Sequence, residues 1–204
     1  MSINREMAEY FDDLAPKWGS NPSGYETREK LVSMMNLPPD SVIADIGCGK
    51  GVMFEHLLKA GPSRIIAVDI SGGMINSAMN AFNDGRIEYV NEDFISAHLP
   101  MVDAAVIFNA YPHFLDKAAL VGKLARIIKR NGVLLIAHGS GRSKVNGIHR
   151  ETAASALSAP LEDAWAEAER FRPFFEPEII IDDDTFYCIK MLRVNATMTD
   201  MGSH

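Results

Sequence analysis

The chain has 204 residues, 47% of them hydrophobic and 23% charged, with a formal net charge of −7. That length supports one domain with a sizeable core. The composition is that of a globular rather than a disordered chain, and the acidity argues against broad binding to a phosphate backbone. Two cysteines, Cys48 and Cys188, are too few for a disulfide framework. No apolar run reaches the length of a membrane span, and the N-terminus lacks the pattern of a secretory signal. A cytoplasmic protein with no membrane partner is therefore expected.

Residues 4–18 predict a helix, with Met7, Tyr10, Phe11 and Leu14 at helical spacing. A loop at 21–24 leads to a second helix over 25–36, with Leu31, Met34 and Met35 on one face, which Leu37-Pro38-Pro39 ends. An alternation then begins. Strands are expected at 42–46, 64–69, 86–90, 102–108 and 133–138, with helices between them at 51–60, 71–83 and 115–130. The third of these helices carries Leu120, Leu124, Ile127 and Ile128 in one stripe. Lys129-Arg130-Asn131-Gly132 reads as its end, with cations and a glycine where the helix dipole favours them. Such alternation implies an α/β fold with a parallel sheet. A helical region at 143–171 precedes two further strands, Glu178–Asp182 and Thr185–Val194, and Asp182-Asp183-Asp184 suggests a hairpin between them. Residues 195–204 are polar and are expected to form a disordered tail. No internal repeat is evident.

The chain is organised around Asp45-Ile46-Gly47-Cys48-Gly49-Lys50-Gly51, which joins the first strand to the helix after it. Glycines there permit positive φ and close approach of a ligand. A strand, a glycine turn and a helix N-terminus together suggest a site for an electronegative ligand group, at the carboxyl end of a parallel strand where open α/β sheets bind ligands. Asp69, ending the run Ile65-Ile66-Ala67-Val68, is placed like an acid that accepts hydrogen bonds from a ribose. A nicotinamide dinucleotide favours G-x-G-x-x-G/A, whereas here Gly47, Gly49 and Gly51 are followed by Val52. Asp45 would also repel a pyrophosphate, but it favours a ligand with an ammonium group.

These residues resemble the first motif of the class I S-adenosylmethionine-dependent methyltransferases, of the small-molecule type with a methyltransferase type 11/25-like domain. The resemblance implies a Rossmann-like three-layer sandwich with a seven-stranded, mostly parallel sheet and a late antiparallel strand. It implies a helical cap at 1–40 within the same domain and an S-adenosylmethionine-binding domain at 41–194. Cofactor contacts are then expected from Asp45, Gly47, Cys48, Gly49, Gly51, Asp69 and Ile70. Met74 either packs on adenine or belongs to the helix core. Asp93 and Phe94 match the family's acid and aromatic at adenine, and Asn109 and Ala110 border the methyl donor. Phe11-Asp12-Asp13-Leu14-Ala15 resembles the Phe-Asp-x-x-Ala opening of many small-molecule methyltransferases, in which Tyr10, Phe11 and Trp18 cover either the pocket or simply the core.

On the acceptor side, Tyr111 and His113 are candidate pocket residues. After the fifth strand, His138 stands at the base of a segment that places Arg142, Asn146 and His149 on one helical face. These groups point to an anionic acceptor held by Arg142 and Asn146, with His138 or His149 as proton acceptor. Structural hydrogen bonds, or a metal held with His113, are the other readings; the spacing carries no metal signature, and no metal is expected. The Asn-Pro-Pro-Tyr and Asp-Pro-Pro-Tyr signatures of amino-directed nucleic-acid methyltransferases are absent, so the expected acceptor is a small molecule. The expected product from the cofactor is S-adenosylhomocysteine. A non-catalytic regulatory module that binds the cofactor is the alternative, and a nicotinamide oxidoreductase the less favoured one. The sequence names neither the acceptor, the methylated atom nor the oligomeric state.

Overall fold

The computed structural model describes residues 3–17 and 24–194. Trp18 and the tail expected at 195–204 lie outside them. Two helices come first, α1 (Ile3–Leu14) and α2 (Tyr25–Met35). They are followed by β1 (Val42–Ile46), α3 (Phe54–Lys59), β2 (Arg64–Asp69), α4 (Gly72–Ala81), β3 (Ile87–Asn91) and β4 (Val102–Phe108). A short 3-10 turn at Tyr111–His113 leads to α5 (Lys117–Ile127) and β5 (Ile128–His138). Then come α6 (Arg142–Glu151), a second 3-10 turn (Ala153–Leu157), α7 (Ala164–Phe171), β6 (Phe175–Asp182) and β7 (Tyr187–Arg193). All seven strands form one sheet in the order β3-β2-β1-β4-β5-β7-β6. Pairing is parallel except on both sides of β7, which runs antiparallel to β5 and to β6. This is the Rossmann-like sandwich with a late antiparallel strand.

Period-two alternation builds the two cores. Ala44, Ile46, Ile66, Val68, Ala105, Ile107, Leu134 and Ile136 point to one face, where α5 and α7 cover them with Leu120, Leu124, Ile127, Ala168 and Phe171. Ile43, Ile65, Ala67, Ala104, Val106, Leu135 and Ala137 point to the other, covered by Leu31 and Met35 of α2, Phe54 and Leu57 of α3, and Ile75 and Ala78 of α4.

Several boundaries differ from the sequence reading: α1 ends at Leu14, the helical region expected over 143–171 is broken into α6, a 3-10 turn and α7, and β6 begins at Phe175. Two further differences have a local cause. The helix expected over 51–60 begins only at Phe54, because Gly47, Gly49 and Gly51 all have positive φ and keep the turn open until then. The helix expected to reach residue 130 ends at Ile127, and Lys129-Arg130-Asn131-Gly132 belongs to β5 instead. Strand pairing overrides the helix-end signal there: Val102 pairs with Ile128 and Ala104 with Val133, and an irregularity between them absorbs the extra residues. Asn131 takes φ 61° in this bulge, and Lys129 pairs with Asp103 at 2.8 Å.

Ile189 lies mid-strand between Ile136 of β5 and Ile180 of β6 and is fully buried. Ile189→Ala should therefore lower the unfolding free energy by about 2–5 kcal/mol. Met101→Ala, at a site half open to solvent, should change it by less than about 0.5 kcal/mol. Urea unfolding of the two variants checks the contrast.

Candidate active site

β1, β2 and β4 deliver the central residues to the carboxyl end of the sheet. Asp45 is 1% exposed, and its Oδ2 has no hydrogen-bond partner among the described residues. Burial, and then the neighbouring Asp69 charge, push its carboxyl up to about 8. Asp69 is raised as well, mainly by burial, although the amides of Ser71 and Gly49 oppose the rise. Its Oδ2 accepts from Gly49 N at 2.8 Å and its Oδ1 from Ser71 N at 2.9 Å. A carboxylate has about four acceptor positions, so this use leaves room for two further donors.

The turn itself departs from the expected anion cradle. Gly47 N and Cys48 N both donate to Val68 O, Gly49 N donates to Asp69, and Gly51 N donates to Cys48 O. The amides that would hold a pyrophosphate are thus engaged within the protein. The turn fits a ligand that brings donors and positive charge instead of one that needs donors. At φ 68°, Gly47 also lets the loop after β4 come close, since a Cβ there would lie 2.6 Å from Ala110 Cβ. A Cβ on Gly49 would meet no atom within 4 Å, so space lies open beside the turn. Cys48 is buried, and burial, with Asp45 and Asp69 adding to it, holds its thiol well above the ordinary value. It is an inert wall of the turn.

A residue that the sequence reading left without a role closes this region. Asp12 of α1 accepts from Ser71 Oγ at 2.6 Å and from Gly73 N at 2.8 Å. Ser71 in turn caps α4 by accepting from Met74 N. Gly73 permits the approach, because a Cβ there would stand 3.2 Å from Asp12 Oδ1. The signal was present in Phe11-Asp12-x-x-Ala15 and in Gly72-Gly73, but nothing in the sequence joined the two.

The other cofactor candidates are placed as follows. Ile70 is half-buried, and its carbonyl accepts from Asn91 Nδ2. Met74 is 4% exposed. Asp93 is half-buried and accepts from Asn4 Nδ2 at 3.2 Å and from Ile95 N. Phe94 lies within the core against Phe114. Asn109, at φ 56°, ties β4 to β5 by donating from its backbone to Ala137 O and accepting from Gly139 N on Oδ1.

The acceptor candidates divide into two groups. Phe11, His113 and His149 come together: Tyr10 stacks edge-on against Phe11 at 5.1 Å, Phe11 against His113 at 4.9 Å, and His113 against His149 at 5.1 Å between ring centroids. His138 is 2% exposed and faces His149, His113 and Lys117 electrostatically. Burial, and then those neighbours, take His138 down to about 3, and burial takes His113 to about 4. The second group is engaged elsewhere. The Tyr111 ring is fully buried and its hydroxyl donates to Glu167 at 2.7 Å. Arg142 pairs with Asp182 at 2.9 Å and Asp163 at 3.7 Å. Asn146 holds both the N–H and the C=O of Leu161. The shared helical face expected for Arg142, Asn146 and His149 is therefore split, because the hairpin and the loop before α7 draw two of the three side chains to themselves. Among the described residues no group of three or more His, Cys, Asp or Glu is placed to hold a metal ion, and no helix is long and apolar enough to cross a membrane. A cleft of about 300 Å³ between Asn36, Asp103, Lys129, Glu178 and Lys190 lies at the amino ends of the strands, opposite to all these residues.

Residues 44–136 match a family described as a methyltransferase domain. Malonyl-acyl-carrier-protein O-methyltransferase of Acetivibrio thermocellus is 38% identical over 108 residues, covering 51% of this chain and 38% of that one. This chain thus spans well under half of that relative's length. Magnesium protoporphyrin IX methyltransferase of Synechocystis, solved with S-adenosylhomocysteine bound, superimposes with a TM-score of 0.70 at 14% identity, covering 94% of this chain and 100% of that one. The (4+2)-cyclase SpnF superimposes with a TM-score of 0.75 at 12% identity, covering 94% and 97%. The shared fold therefore hosts more than one named reaction.

Asp45 takes up a proton on folding between its ordinary value of 3.8 and about 8. In that window the folded state binds more protons than the unfolded one, so the Asp45 contribution to stability falls as pH rises. Asp45→Asn should remove the fall, leaving the ligand-free variant more stable than wild type above pH 8 and closer to it near pH 4. Thermal melts at both ends of the window measure the difference. Tyr111→Phe should cost about 1–3 kcal/mol, by leaving Glu167 without one donor, and should leave ligand affinity unchanged; urea unfolding and calorimetry read the two separately.

Proposed function

We propose that this chain, which belongs to the class I S-adenosylmethionine-dependent methyltransferases, transfers a methyl group from S-adenosylmethionine to a small-molecule acceptor. The observation that carries the reading is the pairing of a buried, unpartnered Asp45 carboxyl with a glycine turn whose amides are already engaged. Two crowded carboxyls call for a cation, and the engaged amides disfavour a pyrophosphate. S-adenosylmethionine carries an ammonium for Asp45 and ribose hydroxyls that can donate to the remaining acceptor positions of Asp69. When bound, it supplies a methyl group already activated on a sulfonium.

The chain's own residues then hold and orient. Asp45 and Asp69 fix one end of the cofactor, and Asp93, which among the described residues accepts from Asn4 and its own turn, is the acid that would take the adenine amino group. Asn109 locks the ends of β4 and β5 together, which sets Ala110 against Gly47 at the border with the acceptor. Phe11 and Asp12 bring α1 over the two sites. In methyl transfer, alignment of nucleophile, methyl and leaving sulfur supplies most of the acceleration, and a rigid floor with a helix across it serves that end. The name of the Acetivibrio relative, an O-methyltransferase acting on a malonyl carrier, supports a small acyl or hydroxyl acceptor over nucleic acid, as does the net charge of −7.

Calorimetry tests the reading. Saturable binding of S-adenosylmethionine and S-adenosylhomocysteine is expected, with none of a nicotinamide dinucleotide; the reverse pattern would overturn it. A ligand ammonium lowers the Asp45 pKa from about 8, so binding releases a proton. Affinity should then weaken by up to about tenfold for each pH unit below 8. The slope should vanish in Asp45→Asn, which should also bind more weakly at pH 8.

A further inference from the structure

We propose, resting on the methyltransferase reading above, that the acceptor is an uncharged alcohol or phenol, methylated on oxygen, whose hydroxyl donates to His138 Nε2. Three buried polar atoms from three different elements lack partners among the described residues: His138 Nε2 at the end of β5, His149 Nδ1 on α6 and the Tyr187 hydroxyl on β7. Tyr187 pairs in register with His138, their rings 6.0 Å apart, and His113 links His149 to Phe11 by edge-on ring contacts. Buried polar atoms are nearly always satisfied in folded proteins. Three orphans around one ring cluster, beside the loop that borders the donor, mark where a ligand's polar group belongs.

The charges nearby select the kind of group. His138 is faced by His149 from α6, His113 from the turn after β4, Lys117 from α5 and Tyr187 from β7. No carboxylate stands among these described groups to hold a cationic amine. Three acids act on Tyr187, and each is engaged: Glu167 by the Tyr111 hydroxyl and Arg170, and Asp182 and Asp163 by Arg142. An anion is no better served. Arg142 is paired with Asp182 and Asp163, and Lys117 donates to Tyr111 O with its ammonium over the Tyr111 ring. A neutral hydroxyl is the group that this lining accepts without leaving a buried charge unpaired.

The chemistry agrees. With Nδ1 protonated, the neutral His138 ring offers Nε2 as an acceptor to the substrate hydroxyl. As the carbon–oxygen bond forms, the carbon–sulfur bond of the sulfonium donor breaks, sulfur keeps the electron pair, and the hydroxyl proton passes to Nε2. The surroundings make His138 a weak base, holding it near 3. A weak base suffices for oxygen, because a methylated oxygen still carrying its proton is a far stronger acid than any imidazolium. A methylated amine would keep its proton, and the ring would contribute nothing.

The full chain is incubated with methyl-labelled S-adenosylmethionine and a panel of neutral phenols and alcohols, with matched amines and carboxylates, and the labelled atom is identified. Label on a hydroxyl oxygen is expected. His138→Phe should lower that turnover by at least about 100-fold while S-adenosylhomocysteine affinity stays within about twofold. Should that variant fail to fold, wild-type protein with labelled imidazole nitrogens serves: in the presence of S-adenosylhomocysteine, the accepted phenol or alcohol should shift the His138 Nε2 resonance. Label on an amine or carboxylate, no label on any hydroxyl compound, full turnover in His138→Phe, or an unshifted resonance each overturns the proposal. Failure of the wild type to bind S-adenosylhomocysteine overturns the methyltransferase reading and this proposal together, whereas tight binding with label on an amine overturns this proposal alone.

Discussion

The Asp69 carboxylate holds together two turns, one at Gly49 and one at Ser71. One oxygen takes the Gly49 amide of the turn after β1, and the other takes the Ser71 amide that opens α4. Through Ser71 the same knot reaches α1, whose Asp12 accepts from the Ser71 hydroxyl and the Gly73 amide. The glycine turn, the β2 end and the N-terminal helix are thus fixed by charge-assisted hydrogen bonds of the strong kind. The same bonds decide what the turn can bind. Once Val68 O, Asp69 and Cys48 O have taken four of the five turn amides, the region has more acceptors than donors to offer. Its polarity is the inverse of a phosphate loop, although the glycine spacing looks alike.

That inversion places Asp45 under strain in the ligand-free protein. A carboxyl enclosed by Ile46, Ala67 and Val106 in the sheet and next to another carboxyl ionises only at a cost. A proton resolves it in the free protein, and on the proposed reading the cofactor's ammonium takes that place. Stability and affinity are therefore linked through one group, a common pattern where a site is built for its ligand at some expense to the free fold.

Much of this was legible in the residues. Short continuous apolar runs match β1, β2 and β4 to the residue, and their alternation with helical stripes points to the parallel sheet, since strands buried on both faces read in that way. The glycine spacing marks the turn itself, because Gly47, Gly49 and Gly51 all take positive φ there, and Asp45 and Asp69 stand beside it as that spacing suggests. The features that were missed are long-range. Nothing local marks Arg142 as the partner of Asp182, Asn146 as the clasp on Leu161, or Tyr111 as the donor to Glu167, and each was read as facing a pocket. The start of β5 was misread for a related reason. Lys129-Arg130-Asn131-Gly132 satisfies a helix end locally, but pairing with β4 satisfies more backbone groups.

The division between local and long-range determinants also falls along the site itself. The stretch matched by the methyltransferase domain, residues 44–136, contains Asp45, the glycine turn, Asp69, Asp93 and Asn109. It stops short of His138, His149 and Tyr187, and it begins after Phe11. The cofactor half is a run of strand-end turns whose geometry depends on near neighbours and so recurs as a recognisable pattern. The proposed acceptor half draws on the first helix, the end of β5, α6 and the antiparallel strand β7, elements brought together by the completed sheet. A change of acceptor then requires altering side chains on those late and early elements while the knot at Asp69 stays as it is. Chemistry can diversify on this fold in that way.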